Sequence, residues 1–96
     1  MRIIAKRTLR AFWVKHADAE QPLRAWHQEA AKAGWSSPAD VKAQYRNASF
    51  VGDRIVFNIA GNKYRLVVWI NDPHHIVYIK FIGTHGDYDK IDVRTA

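Results

Sequence analysis

The chain has no cysteine, one methionine and three prolines among its 96 residues. Without cysteine there is neither a disulfide framework nor a Cys-based zinc site, which suits a reducing compartment. Long hydrophobic runs are missing too: nothing approaches the roughly twenty apolar residues that span a bilayer. The basic start, MRIIAKRTLRAF, is broken by charges every few residues and has no signal-peptide apolar core. A soluble, cytoplasmic protein with no membrane association is therefore expected. Acidic residues are few, nine against fifteen Lys and Arg, for a formal charge of +6. That excess favours an anionic partner such as nucleic acid, an acidic protein segment or a membrane surface. Many small soluble domains are basic, so charge alone decides little. No Walker-type loop, dinucleotide fingerprint or G-x-S-x-G elbow occurs. His74 and His75 lie beside Asp72, but no third ligand follows at a recognised spacing, so no metal site is expected.

What is present fits one domain over residues 1–96. Hydrophobic content of 48% and charged content of 25% are near globular averages, and there is no repeat or linker-like tract. The first half has helical periodicity. Between Lys6 and His16, Leu9, Phe12 and Trp13 recur three and four residues apart. Asp18 can cap a second helix, with Pro22 in its first turn. Leu23, Trp26, Ala30 and Ala33 then share a face, and Gly34 is a natural stop. Ser37-Pro38-Ala39-Asp40 opens a third, shorter helix with a Ser cap, Pro at the first position and an acid in capping-box place. Val41 and Tyr45 follow as core residues. Met1 to Ala5 is a candidate short strand.

The second half has strand character over Arg54–Ala60, Lys63–Asn71 and Ile76–Gly83, rich in Ile, Val, Phe, Tyr and Trp. Gly61-Asn62 suits a two-residue turn of type II′, and Asp72-Pro73-His74-His75 is a second connection. Pairing Ala60 with Lys63 sets Asn58 opposite Arg65 and Val56 opposite Val67. Pairing Asn71 with Ile76 sets Val67 opposite Lys80 and Arg65 opposite Ile82. Strict alternation then puts Ile55, Phe57, Ile59, Tyr64, Leu66, Val68, Ile70, Val77, Ile79 and Phe81 on one apolar face for the helices to cover. The opposite face collects Asn58, Lys63, Arg65, Trp69, Tyr78 and Lys80, mixed with Val56, Val67, Ile76 and Ile82.

Cations on an exposed sheet face are ordinary and usually only solvated. The segment after the last strand changes the weighing. Thr84-His85-Gly86-Asp87 has the form of a capping box. If it opens a helical turn, His85 and Tyr88 fall on the same side. An imidazole titrates near neutrality and is a natural proton-transfer group. Tyr88 could stack on a base, donate a proton or simply pack. The basic N-terminal helix, with Lys6, Arg7, Arg10 and Lys15, could be a nucleic-acid face, but solvation of such a face is commoner.

Two blocks, FNIAGNKYRLV (57–67) and VYIKFIGTHGDYDKI (77–91), carry the phrases F-N-x-x-G-N-x-Y-R and T-H-x-x-Y-D-K. In these the chain resembles the HigB-type toxins of bacterial toxin–antitoxin modules, within the RelE superfamily. The resemblance extends over essentially the whole chain. It implies an α+β fold with N-terminal helices packed on one face of a curved, mainly antiparallel sheet. It also implies an endoribonuclease that cleaves mRNA on the translating ribosome and is held inactive by a helix-turn-helix, HigA-like antitoxin. The family pattern falls on Asn58, Asn62, Arg65, Lys80, His85, Tyr88 and Asp89. Arg65, Lys80, His85 and Tyr88 are the expected catalytic residues; Asn58, Asn62 and Lys63 are expected to bind RNA. No cofactor is expected, because RNA carries its own nucleophile in the 2′-hydroxyl. Non-catalytic binding by the same cationic face, as in gyrase-inhibiting relatives or an RNA- or ribosome-binding module, is the alternative.

Overall fold

The computed structural model describes residues 1–96, the side chain of Asp72 excepted. In chain order the elements are β1 (Arg2–Ile4), α1 (Lys6–Lys15), α2 (Glu20–Lys32), α3 (Pro38–Gln44), β2 (Ser49–Val51), β3 (Arg54–Ile59), β4 (Tyr64–Asn71), β5 (Ile76–Thr84) and α4 (His85–Tyr88). One five-stranded sheet has the order β1-β5-β4-β3-β2. All its neighbours are antiparallel except β1, which runs parallel to β5. This is the α+β architecture expected. No helix is long and apolar enough to cross a membrane among the described residues.

The helices form where the apolar spacing demands. Leu9 and Trp13 of α1, and Leu23, Trp26 and Ala30 of α2, are buried one or two turns apart. They meet the sheet face carrying Ile55, Phe57, Ile59, Tyr64, Leu66, Val68 and Val77. Trp26 packs edge-on against Phe57 at 5.4 Å, while Trp35 stacks on the same ring at 6.2 Å. Fully shielding a Leu or Val here contributes roughly 1.5–3 kcal/mol each. The α3 cap forms as expected: Ser37 accepts the Asp40 N–H at 3.4 Å and Pro38 takes the first position.

Two helix-end expectations fail. Asp18 does not cap α2; it lies in a 3-10 turn (Ala17–Ala19), and Ala19 precedes the helix with no side-chain cap. Its carboxylate is instead spent on the distant β3–β4 turn, to which it is hydrogen-bonded. Gly34 is not the stop, because α2 ends when Ala33 turns extended. The strand β2, only three residues long, has no periodic signature in sequence.

The β3–β4 register is the expected one, with Asn58 opposite Arg65 and Val56 opposite Val67. The turn closes through Lys63 N–H to the Ala60 carbonyl at 3.3 Å, with Gly61 at φ 69°. Lys63 belongs to this turn rather than to β4. Between β4 and β5 the pairing starts as expected at Asn71–Ile76 and then shifts. Val68 pairs with Ile79 but Val67 with Phe81, so β5 carries an extra residue at Lys80. Such a bulge breaks strict alternation. Phe81 therefore joins the face away from the helices, Ile82 packs on the core, and Gly83 rather than Ile82 lies opposite Arg65.

Beyond β5 the chain doubles back. Helix α4 lies against β4 and β5. At the far end, Arg54 Nε and Nη2 donate to the main-chain oxygen of Ala96 at 3.1 and 2.8 Å. Arg94 lies close to Gly52, where an added Cβ would be 3.7 Å from its Cγ. The middle of the outer sheet face is thus shielded, with Val56 and Val67 only 4% and 0% exposed though they stand apart from the helix-covered core.

Phe81 folds over Gly83, whose added Cβ would sit 2.5 Å from Phe81 Cζ and 3.3 Å from Asp87 Cβ. Gly83→Ala is expected to cost roughly 1–3 kcal/mol by overpacking. In urea unfolding, Gly83→Ala/Phe81→Leu should be more stable than the sum of the single costs predicts. Strict additivity would contradict the contact.

Candidate functional site

Three rows of side chains cross β3, β4 and β5 on the outer face: Asn58–Arg65–Gly83, Val56–Val67–Phe81 and Arg54–Trp69–Tyr78. Alternate residues on a strand are ~7 Å apart, so the first and third rows stand roughly 13 Å apart. The apolar middle row divides a cationic end near the β3–β4 turn from an aromatic end.

At the cationic end, Arg65 Nη1 donates to the carbonyls of Asn62 (3.0 Å) and Tyr64 (3.4 Å). This folds the guanidinium over the turn with Asn58 directly across the ladder. Gly83 adds no side chain beside it. Immediately beyond, Thr84 caps α4 by accepting the Asp87 N–H at 3.1 Å, as its capping-box form implies. The His85 N–H donates to the Lys63 carbonyl at 3.3 Å, which pins the start of α4 to the same turn. His85 Nδ1 lies 3.2 Å from Asp89 Oδ2, and both side chains are more than half exposed. Tyr88 is half-buried at the end of α4. Arg65, His85 and Asn58 are therefore carried at one end of the sheet.

Lys80 is not with them. The bulge sets it three residues from Gly83, roughly 10 Å along the strand. Its ammonium lies 5.9 Å from the Trp69 ring and 5.7 Å from the Tyr78 ring. Those rings are themselves stacked at 5.4 Å and 23°. Lys63 also leaves the outer face: its ammonium is ion-paired with Asp18. Asn62 contributes its carbonyl to Arg65 rather than a free side chain observed at the site.

Asp18 is the residue that sequence reasoning placed wrongly. Besides Lys63 it accepts the Tyr64 hydroxyl at 2.5 Å, under a ring group in which Phe12 stacks on His16 at 4.3 Å and meets Tyr64 at 5.1 Å. The Lys63 and Tyr64 hydrogen bonds hold the Asp18 carboxyl below its usual range. The same bonds push the Lys63 ammonium and the Tyr64 phenol up. With Asp18 and Lys63 about half exposed, charge attraction alone adds little stability. The clasp's effect is positional: the turn it grips supplies the carbonyls that hold both Arg65 and His85.

Electrostatics leave this surface open to anions. Of the fifteen Lys and Arg, only Arg24, Arg54 and Lys63 are ion-paired among the described residues. Surface cavities border these rows, one of about 190 Å³ where Arg54 and Trp69 of the third row meet Trp35 and Phe50, another of about 450 Å³ where Asn58 of the first row meets Phe57 and Ala43–Ala48. Neither contains Arg65, Lys80 or His85. An exposed cationic face suits a polymer laid across it better than a small molecule enclosed in a pocket.

Comparison with known proteins finds a family match. Residues 19–91 match the family described as HigB_toxin, RelE-like toxic component of a toxin-antitoxin system. Similar curated proteins are the mRNA interferase toxin HigB of Escherichia coli (strain K12) and the mRNA interferase HigB proteins of Escherichia coli O157:H7 and Shigella flexneri. Each is 27% identical over 92 residues, covering 93% of this chain and 88% of the relative.

The clasp predicts a pH signature. Asp18, with its folded pKa lowered, contributes stability above the ordinary carboxylate value of 3.8 and loses it as pH falls through the folded value. Lys63 and Tyr64, with folded pKa values raised, contribute below their ordinary values of 10.5 and 10.0 and lose it as pH rises through the folded ones. Asp18→Asn should therefore lower the thermal midpoint modestly between these limits, and the gap from wild type should close in acid. A gap that is constant down to pH 2 would contradict this.

Proposed function

The chain belongs to the HigB family of RelE-like toxins of toxin–antitoxin systems, and on that premise we propose that it is an endoribonuclease that cuts mRNA engaged by the ribosome. The curated relatives are named as mRNA interferases, which supports the same activity here. A toxin of such a system has an antitoxin partner; we infer that this partner is a helix-turn-helix protein and that the toxin acts in the cytoplasm.

The reaction needs no metal, because the 2′-hydroxyl can attack the adjacent phosphate and expel the 5′-oxygen. The protein must remove the 2′-proton, stabilise charge on the phosphate oxygens and protonate the leaving oxygen. His85 serves in proton transfer. A proton on Nδ1 facing Asp89 at 3.2 Å leaves Nε2 free to accept. Arg65 binds the scissile phosphate, its planar fork suited to two non-bridging oxygens. Tyr88, three residues beyond His85, assists proton transfer at the same end, and Asn58 orients groups across from Arg65. Lys80, roughly 10 Å down β5, neutralises an adjoining phosphate. Asn62 and Lys63 act from behind, by building the turn. The observation that carries this reading is the shared turn: its carbonyls fix the Arg65 guanidinium and the N–H of His85 together.

His85→Ala is expected to lower the cleavage rate by ~10²–10⁴, the usual worth of a positioned proton-transfer group. Arg65→Ala should cause a loss of comparable order, since preorganised cations at developing charge matter at least as much. RNA ends formed by the wild type should carry 2′,3′-cyclic phosphate, and a 2′-O-methyl group at the cut site should block scission. Wild-type rates from both variants, each folded by circular dichroism, would refute the assigned site.

A further inference from the structure

We propose that Trp69 and Tyr78 form a stacking platform for a nucleobase flanking the cut, with Lys80 as its phosphate or cation–π contact. The inference deepens the ribonuclease reading and rests on it. Three independent features of the outer face support it.

The first is the aromatic pair itself. Trp69 and Tyr78 are direct partners in the β4–β5 ladder and their rings stack at 5.4 Å and 23°. Three of the four tryptophans, Trp13, Trp26 and Trp35, are buried at 6% exposure or less; Trp69 alone remains partly exposed. A core role explains the first three and leaves Trp69 unexplained. Exposed aromatic faces beside a cation bind single-stranded nucleic acid without needing a particular base, since every base has a π-face.

The second is the bulge. Strict alternation along β5 would keep Lys80 in ladder register opposite Val67. The inserted residue turns its ammonium over both rings, 5.9 and 5.7 Å from their centroids. Among the described residues no carboxylate bonds Lys80. A bulge re-aims a side chain at the cost of a ladder pairing, and bulges are frequent beside functional sites.

The third is continuity. The platform occupies the row Arg54–Trp69–Tyr78, roughly 13 Å from the Arg65 row on the same face. The returning chain shields the middle row between them, so a strand whose scissile phosphate meets Arg65 reaches the platform by passing over that segment. The Arg54 guanidinium that borders the platform is engaged by Ala96 and Asp53, which leaves Lys80 as the available cation there.

The test is tryptophan fluorescence of the full chain titrated with a 2′-O-methyl oligoribonucleotide, which cannot be cut, and with the same oligonucleotide made abasic at successive positions. Quenching should accompany binding of the intact oligonucleotide. Removing one particular base should weaken binding about tenfold, in the range measured when stacking partners are deleted. Trp69→Leu and Tyr78→Leu should bind intact and abasic oligonucleotides alike, whereas Trp69→Phe, which keeps an aromatic face, should retain the difference. Lys80→Met should reduce the salt dependence of binding by about the slope of one phosphate contact. Equal binding of intact and abasic oligonucleotides by the wild type would overturn the platform, as would unchanged base dependence in folded Trp69→Leu or no binding at all. Base-dependent binding with no scission of all-ribose RNA, either free or carried on translating ribosomes, would uphold the platform and refute the cleavage reading instead.

Discussion

Leu66 and Val68 of β4 are fully shielded beneath the helices, and turning the strand over would carry Arg65 into that apolar layer in their place. This pins β4, the central strand, and every other position on the sheet is measured from it. Its partner β3 follows in strict alternation. On the other side β5 keeps its core contacts, Val77, Ile79 and Ile82, only by accepting the surplus residue between them. The arrangement of the outer face is a by-product of that accommodation. One cation goes to the aromatic end, and one glycine is left beside Arg65.

A second constraint ties the helical layer to the candidate site. Asp18 reaches from between α1 and α2 to Lys63 and Tyr64, at the tip of the β3–β4 hairpin. Hairpin tips are ordinarily the loosest parts of a sheet. Here the tip is held from the helix side and in turn holds Arg65 and the first N–H of α4. Groups distant in the chain are thus referred to one rigid point, which matters for the proposed cleavage because small misplacements of reacting groups are costly in rate.

Much of this was legible in the sequence. The spacing of Leu9 and Trp13, the Ser37-Pro38 start and the Thr84…Asp87 cap each encode local geometry, and each forms as expected. The β3–β4 register was legible because Gly61-Asn62 fixes the turn and the apolar alternation fixes the facing. The bulge was not. Ile79-Lys80-Phe81-Ile82 offers an apolar residue at either parity, so the pattern cannot tell whether Phe81 or Ile82 faces the core. Asp18 misled because a short acid ahead of a helical run looks like a cap, and nothing local points to a partner forty-five residues away. The return of the chain to Arg54 rests on one side chain meeting a main-chain oxygen, which leaves no periodic trace. Of the candidate residues, Arg65, Asn58 and His85 lie at one end of the sheet as the turn and the cap imply, whereas Lys80 could be located only once the extra residue was seen.

The strands that border the sheet, β1 and β2, are each three residues long, while the strands they enclose run to six, eight and nine. A border that short presents few unsatisfied main-chain donors and acceptors, too few to nucleate growth of one molecule's sheet onto another's. The long apolar strands are in this way walled off from their own kind, so copies of the chain can accumulate without polymerising edge to edge.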